Sequence, residues 1–297
     1  MTHRGQSPLC HFIYICCMNT TIIDLKDYEL SGGGKLGESY IKKDNPDILL
    51  KLYSTQLEKM GLDEYEKACK VYNLGLPCPE PGQLVRTADN RVAIQFKRIH
   101  GKLSYARALS IHPERMEQYA AEFAAICKKL HSTTPPPGLF PTFKDQSSQY
   151  IRENPFLTDQ ERDGILRFID SQPDADTALH GDLHIGNVIF DEQGRKYLID
   201  LSEFSTGSPM FDLGIIYLQS CFIPNEVEME LYHITKDVSV PFWNLFIKNY
   251  MGPDTDVEEF NKQILPYALL RILCVEKMMG YPVPPVRPAV HKMLGIK

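Results

Sequence analysis

The stretch Leu179-His180-Gly181-Asp182-Leu183-His184-Ile185-Gly186-Asn187-Val188-Ile189-Phe190 constrains the fold more than any other part of the sequence. After a turn at Asp191-Glu192-Gln193-Gly194 it continues as Tyr197-Leu198-Ile199-Asp200-Leu201. It reads as a loop leading into a β-hairpin whose strands are VIF and YLI. Asn187 stands at the mouth of the first strand and Asp200 follows the second. A hairpin brings those two ends together. Two oxygen donors at a shared point suit Mg2+, a hard cation that keeps room for phosphates and water. Asp182 lies outside the hairpin, where its carboxylate is free to accept a proton from an attacking hydroxyl.

Around this stretch the hydrophobic period changes once. Up to Ile99 the chain reads as strands: Thr21 to Leu30, Ser39 to Lys42, Ile48 to Tyr53, and a hairpin from Leu84 to Ile99 turning at Ala88-Asp89-Asn90. A single helix, Leu62 to Leu74, interrupts them and stops at Gly75 before Pro77 and Pro79. From His100-Gly101 onward the period is that of a helix. Pro113 to His131 is the clearest case, followed by Asp159 to Ser171 and by a mainly helical region from Asp212 to Met279. The tail carrying Pro282, Pro284, Pro285 and Pro288 is expected to be extended. At 297 residues the chain exceeds the roughly 250 that one hydrophobic core usually serves. The expected class is α+β: a small, mostly β lobe over residues 18–99 and a larger, mainly helical lobe over 100–297.

Residues 1–17 are set apart. Leu9 to Cys17 is an apolar run broken by His11, shorter than the roughly 20 residues of a membrane span and lacking a small-residue cleavage site behind it. Met18 follows at once, so 1–17 is read as a disordered extension or a mis-assigned start. With 43% hydrophobic and 24% charged residues the chain is not of disordered composition. Its formal net charge of −6 gives no electrostatic reason to expect a nucleic-acid partner. Eight cysteines without a C-x-x-C read as reduced thiols of a cytoplasmic protein, with no membrane association.

Two further features carry chemistry. Ser31-Gly32-Gly33-Gly34-Lys35-Leu36-Gly37 is a glycine-rich turn between the first strands. It is not a Walker A loop, because Lys35 is followed by Leu36 and then by a strand. Lys51 interrupts the apolar run Ile48, Leu49, Leu50, Leu52, where a buried ammonium is costly unless paired.

The loop at 180–187 resembles the catalytic loop of the aminoglycoside phosphotransferase family, the small-molecule branch of the protein-kinase-like fold. The kinase pattern H-R-D-L-x-x-x-N stands here as His180-Gly181-Asp182-Leu183, three residues, then Asn187. The form H-G-D-L-H-x-G-N is typical of that branch. Asp200 matches the aspartate of D-F-G and is followed by Leu201-Ser202, which also fits it. The resemblance covers roughly residues 20–280. It implies a protein-kinase-like two-lobe fold, with a small antiparallel-sheet N-lobe, a larger mainly helical C-lobe and ATP between them. It implies Asp182 as catalytic base, and Asn187 and Asp200 as holders of Mg2+. Gly32, Gly33 and Gly34 would approach the ATP phosphates. Lys51 would contact the α- and β-phosphates and pair with a helix glutamate. Glu64 and Glu66 are the candidates, about 200° apart on the helix, and Glu64 has the spacing before Gly75 that the family leads one to expect. The backbone of Gln95–Ile99 would serve as interlobe hinge and adenine binder. Asp212, in Phe211-Asp212-Leu213-Gly214, would cap the following helix and brace the loop. His184 and His131 are read as structural, the latter as a helix C-cap.

The function implied is ATP-dependent transfer of the γ-phosphate to a hydroxyl of a small molecule: an aminoglycoside, an amino sugar or an amino alcohol. The alternatives are a catalytically silent nucleotide-binding or regulatory kinase-like protein and, with less support, a protein kinase. Between Cys221 and Lys262 eight acids face three lysines, a local balance of −5. An acidic cleft would attract a cationic acceptor, though solvated helix faces account for the same charges. Trp243, Tyr232 and Tyr250 offer either a cage for a quaternary ammonium or ordinary packing, and packing is the preferred reading. The oligomeric state is not legible.

Overall fold

The computed structural model describes residues 21–34 and 37–296. The segment 1–17 read as an extension or mis-assigned start lies outside them, as do Lys35 and Leu36 in the glycine-rich turn. The described chain divides into two compact units. One runs to Tyr72 and includes Pro79–Ile99; the other comprises Asn73–Cys78 and everything from His100 onward. The class is α+β, with an almost wholly antiparallel sheet in the first unit and mostly helix in the second.

The first unit contains β1 (Thr21–Ile23), β2 (Tyr28–Gly34), β3 (Gly37–Lys42), β4 (Ile48–Leu52), α1 (Glu58–Asn73), β5 (Pro81–Thr87) and β6 (Val92–Lys97). The strand expected over Thr21–Leu30 is broken. Asp24 accepts the Lys26 N–H at 3.0 Å and caps a 3-10 turn over Leu25–Asp27. The piece before the break swings out to pair in parallel with β5, so the sheet has six strands in the order β1-β5-β6-β4-β3-β2. Alternation along β4 sends Leu50 and Leu52 to one face, where they pack with Tyr28, Val85 and Ala93. Lys51 therefore points to the other. The buried positions of α1 are Gly61, Glu64, Ala68 and Val71, a single stripe at helical spacing. Glu64 is thus carried inward and Glu66 outward.

The second unit begins with β7 (Leu103–Ser104) and α2 (Tyr105–Ile111), then α3 (Met116–His131), α4 (Phe143–Glu153) and α5 (Asp159–Ser171). Next come β8 (Ala178–Leu179), β9 (Val188–Phe190), β10 (Lys196–Leu198) and β11 (Ser205–Thr206). It closes with α6 (Met210–Cys221), α7 (Asn225–Tyr232), α8 (Lys236–Met251), α9 (Val257–Met279) and α10 (Arg287–Leu294). The hairpin forms as expected, Leu198 opposite Val188 and Lys196 opposite Phe190, and β7 adds a third strand to it. Phe123 of α3 packs edge-on against Phe242 and Phe246 of α8. Gly214 lets α6 lie directly on α9, since a Cβ there would stand 2.6 Å from that of Tyr267. No helix among the described residues is long and apolar enough to cross a membrane.

The proline-rich tail corrects the sequence reading. It forms a 3-10 turn over Pro284–Val286 and then α10, because proline is tolerated in the first turn of a helix, where no intrahelical N–H bond is lost. Arg287 on Glu276 at 2.9 Å and His291 beside Glu161 at 2.9 Å hold it in place.

Trp243 is fully buried against Tyr217, Phe246 and Phe260, with its indole N–H donated to Asn261 at 2.8 Å. Packing is therefore its role. Trp243→Ala should cost about 3–5 kcal/mol of stability, seen as a lower urea midpoint at unchanged slope. An unchanged midpoint would contradict this account of the core.

Candidate active site

In the first unit the charged residue of β4 finds its partner on α1. The Lys51 ammonium donates to both Glu64 oxygens, at 2.8 and 2.7 Å. The Tyr53 hydroxyl donates to the same carboxylate. Both charges are largely shielded, with 17% and 5% of their side chains exposed, which is tolerable because each is matched. Burial pushes the Tyr53 phenol well above its ordinary value, so it stays a donor. Glu66 instead pairs with Lys70 one turn along the outer face of the helix.

The glycine-rich hairpin sets Gly32 opposite Ser39 and Gly33 opposite Glu38. A Cβ built on Gly32 or Gly33 would meet no protein atom within 4 Å, and neither has a positive φ. Neither packing nor backbone geometry demands glycine there. In the stretch expected to offer its backbone to adenine, the Lys97 and Arg98 N–H groups are already bonded, to the Glu80 and Asp47 carbonyls at 2.9 and 2.7 Å. That narrows the expectation.

In the second unit the loop after β8 is built on one buried carboxylate. Asp212 accepts the His180 N–H at 2.8 Å and the Gly181 N–H at 2.9 Å. Just after the second of these N–H groups the chain turns left-handed, with φ +78° at Gly181, a conformation open to glycine at little cost. Any other residue would also collide, since a Cβ there would lie 2.1 Å from the Glu203 carbonyl oxygen. The His180 ring donates from Nε2 to the Ile199 carbonyl at 2.9 Å and accepts the Asp182 N–H on Nδ1 at 3.3 Å. The loop is thereby tied to the end of β10. The Ile199 N–H in turn donates to the Asn187 carbonyl at 3.0 Å. Asp200 follows in the left-handed region, φ +60° and ψ +61°, a conformation aspartate tolerates better than most residues.

Asp182 is held from two sides. Arg271 donates to Oδ1 at 2.8 Å. The Asn187 amide nitrogen donates to Oδ2 at 3.2 Å and to the Asp182 carbonyl at 2.9 Å. Burial pushes this carboxyl up, but Arg271, with His184 and His180, outweighs burial and brings it below its ordinary value. His184 accepts the Gly186 N–H on Nδ1 at 3.0 Å, packs edge-on against Tyr232, and lies 3.8 Å from Asp182 through Nε2. Burial pulls its imidazole down, which favours the neutral ring.

Two sequence expectations are modified. Asp212 sits inside the first turn of α6 rather than capping it, because its side chain is spent on the loop. His131 ends α3, but its ring bridges Asp212 at 3.1 Å and the Tyr250 hydroxyl at 2.8 Å instead of capping carbonyls. Sequence reading missed Arg271, together with Glu203 and Tyr150 beside it. The signal was present: Arg271 breaks the apolar run Leu269-Leu270-Ile272-Leu273 as Lys51 breaks that of β4.

Comparison with known proteins bears on the family and the fold. A profile described as the phosphotransferase enzyme family matches residues 30–234. No curated protein sequence gives a significant match. Among solved structures, aminoglycoside phosphotransferase APH(4)-Ia is similar at a TM-score of 0.60 and 14% identity, over 86% of this chain and 87% of that one. Choline kinase LicA from Streptococcus pneumoniae is similar at 0.56 and 17%, over 90% and 91%. Amicoumacin kinase hAmiN, solved with AMP-PNP, Ca2+ and Ami, is similar at 0.56 and 13%, over 97% and 91%. At such identities these likenesses show a shared kinase-like fold. With the profile spanning more than half of its length, the chain belongs to the phosphotransferase enzyme family.

Proposed function

We propose that this protein transfers the γ-phosphoryl group of ATP to a hydroxyl of a small molecule, with Asp182 as the base that orients and deprotonates that hydroxyl. The observation that carries the reading is the state of Asp182. Its carboxylate is fixed on both oxygens, its charged form is favoured, and a third of its side chain stays open to an incoming group. Residues 18–99 would form the nucleotide-handling lobe and 100–297 the catalytic and substrate-binding lobe.

The residues fit Mg2+ by their chemistry. With its nitrogen on Asp182, the Asn187 amide keeps its oxygen for a cation, and Asp200 adds a carboxylate. Among the described residues no cluster of three or more His, Cys, Asp or Glu would hold a metal by itself. That suits an ion sharing its coordination with phosphate and water. Mg2+ bound there would neutralise charge on the ATP phosphates. Lys51, oriented by Glu64 and Tyr53, would present its ammonium to the α- and β-phosphates. Gly32, Gly33 and Gly34 would offer backbone N–H groups to the phosphates, and the open space beside Gly32 and Gly33 accounts for glycine where the fold does not require it.

The acceptor is a small molecule in this reading. Residues 201–209 hold only a 3-10 turn and β11 before α6 begins, so no long segment is present to dock a peptide. The charge clue to a cationic acceptor weakens. Glu228 is buried on Lys236 at 2.9 Å, and Asp256 caps α9. Glu259 pairs with Lys262 on the surface. The aromatic cage loses its tryptophan to the core.

An ADP-release screen over aminoglycosides, aminated sugars, choline, homoserine and ribose derivatives tests this, with Asp182→Ala as the blank. Asp182→Ala should retain Mg-ATP binding and lose about 1,000-fold or more in turnover; near-normal turnover refutes its role. Lys51→Met should raise the KM for Mg-ATP about tenfold, and an unchanged KM would remove Lys51 from the nucleotide site. Nucleotide binding with no turnover on any acceptor would favour a silent protein instead.

A further inference from the structure

Arg271 sits in the middle of α9 among Ala268, Leu269, Leu270, Ile272, Leu273 and Cys274, all buried. Only 7% of its side chain is exposed. A guanidinium in such surroundings is retained only against matched charge. One Nη2 bond reaches Asp182 at 2.8 Å, while Nη1 meets only the Met278 sulfur at 3.9 Å. Glu203, which accepts the Tyr150 hydroxyl at 3.0 and 3.2 Å, lies near enough for its charge to favour the guanidinium, without an ion pair between the two. Asp182 and Glu203 come from two different loops, and those loops touch where the Glu203 carbonyl fills the space beside Gly181. A buried cation from a distant helix thus bonds Asp182 directly, beside the place where the two loops meet.

We infer that Arg271 is a positioning residue: it holds the Asp182 carboxylate in the one orientation that leaves Oδ2 on Asn187, and it does so from the buried side. The inference rests on the reading of Asp182 as base. The planar fork suits the task, because a guanidinium fixes direction as well as charge, whereas the ammonium of lysine is a point charge on a flexible stem. Arg271 is too enclosed to meet an acceptor. Its effect on the reaction passes through Asp182, and a small misorientation of a reacting group is enough to slow a reaction severely.

The test uses the full chain and Mg-ATP, with water as acceptor and with any acceptor the screen returns. Two variants are made: Arg271→Met, and the double variant Arg271→Met with Glu203→Gln, which keeps the cluster closer to neutral should the single change prevent folding. In either, kcat should fall about 100-fold while the KM for Mg-ATP stays within about threefold of the parent. Arg271→Lys should recover part of kcat. Crystal structures of the variants give a readout independent of turnover. The Asp182 carboxylate should leave the Asn187 amide in the methionine variants and stay on it in the lysine variant. A carboxylate that keeps its place without Arg271, or a kcat within about twofold of the parent, overturns the proposal. So does a loss shared between KM and kcat together with a lowered melting temperature, the mark of a purely structural residue. Asp182→Ala separates the two layers: if it turns over normally, the base assignment fails; if it is inactive while Arg271→Met is fast, only the positioning role fails.

Discussion

The carboxylate of Asp212 is the interaction on which the loop presenting Asp182 depends. It is fully buried, and it gathers the backbone N–H groups of His180 and Gly181 with the ring of His131. A buried carboxylate needs such donors, and donors so placed leave the loop one path. Beside these donors come the left-handed turn at Gly181 against the Glu203 carbonyl and the bond of the His180 ring to the end of β10. Through Tyr250 the same network reaches α8. The loop that presents Asp182 is thus anchored to three helices rather than hung between two strands.

Lys51 and Arg271 show one physical rule operating twice. Each is a cation inside an apolar run, one on a strand and one on a helix, and each is tolerated because a carboxylate meets it. Such a residue carries a desolvation cost that a charge on a polar face does not, so a lone charge in a hydrophobic segment is the more informative signal. The acids between Cys221 and Lys262 are the counterexample. Asp256 caps a helix, Glu226, Asp237 and Glu258 open first turns, Glu259 pairs on the surface and Glu228 is buried on Lys236, so no shared task emerges from them.

The fold class was legible because its signals are local: alternation in β4, the 3.6 spacing of α3, the turn residues of the β9–β10 hairpin. The loop at 180–187 was legible because its residue types and spacing are dense with chemistry. What escaped were contacts between segments remote in sequence. Nothing near Arg271 announces Asp182, and nothing near His131 announces Asp212. The break at Asp24 was missed because a side chain bonding its own backbone two residues on competes with a strand that composition alone favours. The final helix was missed because prolines were weighed as breakers without asking where in a helix they would fall.

The bond between Arg271 and Asp182 spans 89 residues of sequence. The hairpin, the 180–187 loop and α6 are synthesised well before α9, yet α6 packs directly on α9 and shares its core. Until that helix docks, Asp182 faces Asn187 with its other oxygen unmatched. Contacts between segments so far apart in sequence are the kind that slow folding. The carboxylate proposed as base thus takes its partner from the far end of the chain, and the proposed site is finished only where the second unit is whole.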